Sequence, residues 1–115
     1  MRRRATPDHR GKVAVVTGAS SGLGRRLAAD LARSGAEVVA VARREERLRA
    51  LADEMVETSP SSSYRVRDLA DVDAFVHLLE QVEEEHARID ILLNVAGVGG
   101  VIRTHPATTE SARSV

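Results

Sequence analysis

Two kinds of segment alternate along the chain. Short, almost uninterrupted apolar runs occur at residues 12–17, 37–41 and 89–94. Runs this short and this apolar suit parallel strands covered on both faces. Between them, apolar residues recur every third or fourth position, the period of a helix with one buried face. The first such stretch, about 23–33, carries Leu23, Leu27 and Leu31, with Ala28 and Ala32 beside them. Ser34-Gly35 closes it, with Gly35 in the position of a left-handed C-terminal cap. A second stretch, about 44–57, places Leu48, Leu51, Ala52 and Met55 on one stripe. A third, about 72–87, can be capped by Asp71 and turns Val72, Phe75, Val76, Leu79 and Val82 inward. Thr58 to Ser63 is a loop by composition, and Tyr64-Arg65-Val66-Arg67 reads as one more short strand before Asp68-Leu69.

Strand–helix alternation with short joints predicts right-handed βαβ units and a doubly wound parallel α/β sheet. Four strands with three helices would stand in the order 3-2-1-4. From Gly99 onward the period is lost. Residues 101–115 contain Pro106 and five Ser or Thr residues.

The joint between the first strand and the first helix carries the chemistry. Thr17-Gly18-Ala19-Ser20-Ser21-Gly22-Leu23-Gly24 follows Val13-Ala14-Val15-Val16 directly. A strand that ends in a glycine-rich turn and restarts as a helix aims backbone N–H groups and the positive end of a helix dipole at one spot. That arrangement suits a pyrophosphate. The run is not a P-loop, because the residue five after Gly18 is Leu23.

Charge and composition narrow the ligand. The chain has 115 residues, with 17 basic and 17 acidic side chains. Residues 1–50 hold 12 basic and 5 acidic side chains, and residues 51–115 hold 5 and 12. A basic first half suits a small polyanion. Nucleic acid does not fit, because Tyr64 and Phe75 are too few to stack bases. Without cysteine there is no disulfide, thiolate nucleophile or thiolate metal site. The histidines (His9, His77, His86 and His105) make no metal-ligand spacing, and His77 and His86 read as surface residues. The basic start, Met1 to Arg4, lacks an apolar segment behind it, and no run reaches membrane-spanning length. No membrane association and a cytoplasmic location are expected.

Taken together, the motifs resemble the short-chain dehydrogenase/reductase family over about residues 11–100. The resemblance rests on Thr17–Gly24, Ala42-Arg43 at the end of the second strand, Asp68-Leu69, and Asn94-Val95-Ala96-Gly97. The last is similar to the family's Asn-Asn-Ala-Gly, with Val95 in the second slot. The resemblance implies a Rossmann sheet present as its cofactor-binding half. Gly18, Ser20, Ser21, Gly22, Leu23 and Gly24 would meet the pyrophosphate of a nicotinamide dinucleotide. Asp68 and Leu69 would lie against the adenine, and Asn94, Ala96 and Gly97 would complete the cofactor wall. An alternative for Asp68 is a cap on the following turn.

Cofactor choice follows from charge. An acid at the end of the second strand would accept from the ribose hydroxyls and repel a 2′-phosphate. That slot is Ala42, followed by Arg43 and Arg44, which favours NADP(H) over NAD(H). The competing reading pairs Arg43 and Arg44 with Glu46 and Glu45.

The family's Tyr-x-x-x-Lys pair has no counterpart in these residues. Four positions after Tyr64, the sole tyrosine, stands Asp68, and the sole lysine is Lys12. No catalytic residue is therefore assigned, and the chain alone is expected to be inactive. The organisation expected is a polar lead-in (1–10), a dinucleotide-binding half-domain (11–98) and an irregular tail (99–115). One reading is the front of an NADP-dependent dehydrogenase interrupted by a frameshift, a premature stop or a misread frame. The other is a non-catalytic NADP(H)-binding module that completes its sheet on a partner. The absence of an amphipathic stripe in residues 101–115 favours the first. The fourth strand would lie at a sheet edge, giving poor solubility or partial unfolding of the isolated chain, with self-association through that edge.

Overall fold

The computed structural model describes residues 8–20 and 22–95. In chain order the elements are β1 (Val13–Thr17), α1 (Gly22–Arg33), β2 (Glu37–Ala42), α2 (Glu45–Met55), β3 (Ser63–Val66), α3 (Val72–His86) and β4 (Ile91–Asn94). Each element expected from the sequence is present, with its ends moved by at most two residues. All strand pairs are parallel, and the order is β3-β2-β1-β4 as expected. The tail assigned to residues 99–115 lies outside the described residues.

Alternation along the strands divides the core into two layers. Ala14, Val16, Val38, Ala40 and Ala42 face α1 and α2, where Ala28, Ala32, Leu48, Leu51 and Met55 meet them. Val13, Val15, Val39, Val41 and Leu92 face α3, packing on Leu78, Leu79 and Val82. The α1 side of the sheet is rich in alanine and the α3 side in valine and leucine. The first helix can therefore approach the sheet closely, whereas the third stands off on larger side chains.

That close approach corrects the expected packing of α1 in part, for Ala28 and Ala32 are buried as expected and Leu23 is not. Its buried residues are Gly24, Ala28, Ala29 and Ala32, while Leu23 is 52% exposed. Leu27 and Leu31 are half-buried at the flank of the contact. Positions 24, 28 and 32 lie one residue, about 100° of turn, from positions 23, 27 and 31. The small residues fill the centre of the contact, and Leu31 packs at its side. On α3, Val72 in the first turn is 71% exposed, and Leu78, which the sequence reading left out, is buried. The Asp71 carboxylate does cap α3, accepting from the Asp73 N–H at 3.0 Å.

Polar side chains fasten the N-terminal edge of the sheet. The Asp90 side chain, 7% exposed, accepts from the Val13 N–H at 2.9 Å and from the Arg88 guanidinium at 2.6–3.0 Å. Burial pushes this carboxyl up, but the bonds from Arg88 and Val13 together outweigh it and hold the pKa below the usual carboxylate value. Ser59 and Ser62, expected only as loop residues, are buried. Ser59 donates to the Ala36 carbonyl at 2.6 Å, and Ser62 Oγ accepts from the Val38 N–H at 2.9 Å. The lead-in is partly built into the fold: His9 N–H donates to the Ser34 carbonyl and Glu37 N–H to that of Lys12. The exposed Glu85 pairs with Arg65 of β3, and His86, read as a surface residue, is half-buried against Glu37.

Candidate functional site

The C-terminal ends of the four strands open into one cavity of about 560 Å³. Each strand contributes its last residues and the start of its following loop. Thr17, Gly18 and Ser20 come from β1 and its turn, and Val41, Ala42, Arg43 and Arg44 from β2. β3 sends Arg67, Asp68, Leu69 and Ala70, and β4 sends Asn94 and Val95. In a doubly wound sheet, ligands bind at this edge, where the strand order reverses between β1 and its two neighbours.

The glycine turn is shaped by the packing beneath it. Gly18 has φ 68°, a left-handed backbone that glycine adopts without strain. The Ala19 N–H donates to the Val41 carbonyl at 3.1 Å, which ties the turn to β2. A Cβ at Gly24 would lie 2.2 Å from the Gly18 carbonyl oxygen, so the first turn of α1 rests directly on the loop. A Cβ at Gly22 would meet nothing within 4 Å. Packing among the described residues therefore requires glycine at 24 and not at 22.

Hydrogen bonds hold the strand ends in register around the cavity. Thr17 Oγ1 donates to Asn94 Oδ1 at 2.7 Å, joining β1 to β4. This turns the Asn94 carbonyl toward Thr17 and leaves its amide nitrogen to donate elsewhere. The Val95 N–H donates to the Thr17 carbonyl at 3.2 Å, and the Arg67 N–H donates to that of Ala42 at 2.9 Å.

Charge in the lining is one-sided: Arg43, Arg44 and Arg67 face a single carboxylate, Asp68. Arg43 and Arg44 form no ion pair with a described residue, contrary to the competing reading. Glu45 is engaged instead by Arg49 at 3.4 Å and by the Tyr64 hydroxyl at 3.0 Å. Asp68 Oδ1 accepts from the Ala70 N–H at 3.1 Å, so Asp68 caps its turn as well as lining the cavity. Both readings of Asp68 are compatible with one side chain.

Of the residues singled out from the sequence, Gly18, Ser20, Arg43, Arg44, Asp68, Leu69 and Asn94 come together in this lining. Gly22, Leu23 and Gly24 open α1 beside the turn without lining the cavity. Ser21, Ala96 and Gly97 lie outside the described residues. Sequence reasoning missed Thr17 as a bonding group, Arg67 and Ala70. Parallel pairing of β2 with β3 is the signal for Arg67: once Ala42 is paired with Val66, Arg67 must follow beside Arg43. Tyr64 and Lys12 are both absent from the cavity lining. Among the described residues no His, Asp and Glu cluster could hold a metal ion, and no helix is long and apolar enough to cross a membrane.

The comparisons agree with this architecture. The family model for short chain dehydrogenases matches residues 12–115. The match runs beyond the point at which the periodic pattern fades, so residues 101–115 fall inside it and not outside as expected. A short chain dehydrogenase of Pseudocercospora fijiensis is 43% identical over 88 residues, covering 76% of this chain and 28% of the relative. A 3beta-hydroxysteroid dehydrogenase of Mediterraneibacter gnavus is 38% identical over 93 residues, covering 81% and 34%. The chain thus spans about a third of the length of such relatives. A short chain dehydrogenase from Shigella flexneri, solved in complex with NADP, superposes with a TM-score of 0.72 at 30% identity, covering 82% of this chain and 41% of that one. On the sequence match and the shared sheet order together, the chain belongs to the short-chain dehydrogenase family.

Proposed function

We propose that residues 11–98 are the NADP(H)-binding half of a cytoplasmic short-chain dehydrogenase. Its reaction is hydride transfer between an alcohol or carbonyl compound and the nicotinamide. The observation that carries this reading is the lining of the cavity at the strand ends. Ala42 stands where a ribose-binding acid would exclude a 2′-phosphate, and three guanidiniums oppose one carboxylate. A dianionic phosphate ester is the group that such an excess of positive charge favours.

The residues fit the cofactor in a second respect. Glycine at 22 is unexplained by packing, since a Cβ there meets no neighbour. Close approach of the pyrophosphate to the backbone accounts for it. Gly18, Ser20 and Ser21 would hold that group with Gly22, Leu23 and Gly24. Asp68 and Leu69 would flank the adenine, and Asn94, Ala96 and Gly97 would close the nicotinamide side. When bound, NADP(H) supplies the hydride chemistry. The chain's own residues bind it and orient it, and none of them is assigned proton transfer.

A titration followed by calorimetry tests the reading. NADPH should bind at least about tenfold more tightly than NADH, a difference of ~1.4 kcal/mol. Equal or tighter binding of NADH would overturn the preference, and no binding of either would overturn the site. The 115 residues by themselves should turn over no alcohol or ketone with either cofactor. Extension of the family match through Val115 supports a dehydrogenase segment over a free-standing interaction module.

A further inference from the structure

We propose that Arg67 is a further cofactor-specificity residue, its guanidinium joining Arg43 on the 2′-phosphate of NADP(H). This rests on the NADP(H) reading above and adds a residue from a different strand. Register places the two arginines side by side. Ala42 of β2 pairs with Val66 of β3, so Arg43 and Arg67 leave two adjacent parallel strands at the same level. The bond from the Arg67 N–H to the Ala42 carbonyl, 2.9 Å, fixes that level. Neighbouring strands run about 4.8 Å apart, a spacing that two guanidinium forks can share around one phosphate.

Both residues line the cavity, and neither forms an ion pair with a described residue. Arg67 Nη1 donates only to the neutral Val66 carbonyl at 2.9 Å. Among nearby acids, Glu45 is held by Arg49 and Tyr64, and Asp68 Oδ1 by the Ala70 N–H. Two arginines leaving adjacent strand ends at one level, neither in an ion pair with a described residue, are a site for a bridging anion. A dianionic phosphate ester relieves their repulsion and uses their planar donor geometry. Stacking of Arg67 on the adenine ring is the rival role. It would help NADH and NADPH alike, which makes the two roles separable.

The test is calorimetric titration of the full chain with NADPH, NADH, 2′-AMP and 5′-AMP, for the wild type, R67Q, R67K and R43Q. Because the Arg67 side chain is exposed, R67Q should melt with the wild type, and R67K provides a second variant that keeps the charge. R67Q should lose about tenfold in affinity for NADPH and 2′-AMP, leave NADH and 5′-AMP unchanged, and show a weaker salt dependence for NADPH. R67K should restore part of the loss. If R67Q weakens NADH as much as NADPH, Arg67 does not read the 2′-phosphate. If R67Q leaves NADPH binding intact while R43Q removes the preference, Arg67 is likewise excluded and the NADP(H) reading stands. A wild type that does not distinguish NADPH from NADH would overturn both together.

Discussion

A methyl group added at Gly24 would stand 2.2 Å from the Gly18 carbonyl oxygen, whereas one added at Gly22 would meet no atom within 4 Å. Two glycines of one motif therefore differ: packing requires the one at 24 and not the one at 22. Gly24→Ala should push α1 off the turn and cost about 1–3 kcal/mol, as overpacking does. Gly22→Ala should leave the melting temperature unchanged or slightly raised, since alanine favours the helix. The same variant should weaken NADPH binding, because its methyl would occupy space the pyrophosphate needs. Denaturant melts with cofactor titrations on both variants check this, and equal loss of stability at 22 and 24 would refute it.

At the opposite edge of the sheet, Asp90 carries a pH-dependent part of the stability. Its folded pKa is lowered, because the bonds from Arg88 and Val13 outweigh burial. The stabilisation is therefore fully present above the unfolded carboxylate value of about 3.9 and is lost as pH falls through the lower folded value. Asp90→Ala strands the Val13 N–H and should cost about 1–3 kcal/mol at pH 7. The gap between the variant and the wild type should close as acid protonates the native carboxylate. Urea melts across pH 2–7 read this directly, and a gap that stays constant would mean the ionised form contributes nothing.

Packing between elements, more than the elements themselves, escaped the sequence. Every strand and helix was legible because apolar runs and apolar stripes differ in period, and Asp71 marked the start of α3 correctly. The buried face of α1 was legible only in part. Ala28 and Ala32 were placed on it correctly, and Leu31 packs beside them, but Leu23 is 52% exposed and Ala29, which the periodicity left out, is buried against a sheet face rich in Ala14, Ala40 and Ala42. Depth of approach is a property of two surfaces, and one segment's sequence does not contain it. Ser59 and Ser62 were read as loop for the same reason, since the β2 backbone groups they satisfy are distant in sequence. The candidate site was legible where a single motif carries it, as at Gly18 and Ser20. It was not where strand pairing carries it, as at Thr17 with Asn94 and at Arg67 with Ala42. One consequence is testable on α1 alone. Ala28→Leu should destabilise by about 1–3 kcal/mol, while Leu23→Ser, at a 52% exposed position, should change stability by under about 0.5 kcal/mol. The reverse order in a chemical melt would restore the leucines to the core.

The whole sheet has two ends of different character. β3 ends it on one side with Ser63, Tyr64 and Arg65 half-buried and Val66 exposed. β4 ends it on the other with Ile91, Leu92 and Leu93, of which Leu92 is buried under α3 and the others are half-buried. Among the described residues β4 pairs only with β1, so one side of its backbone ladder has no strand partner. An apolar edge strand with open N–H and carbonyl groups is a template for another strand. Since β3 carries Arg65 paired to Glu85 on α3 whereas β4 is apolar through Ile91, Leu92 and Leu93, association should run through β4 and not through β3. The 115 residues expressed alone should therefore sediment as dimers or larger species, with β4 amides protected from hydrogen exchange as concentration rises. Leu93→Lys places a charge on that edge while sparing the buried Leu92, and should shift the population toward monomer. Arg65→Lys on β3 should not. Monomeric sedimentation of the wild type at all concentrations would show that the β4 edge is already covered, and the segment that covers it would then lie within the chain itself.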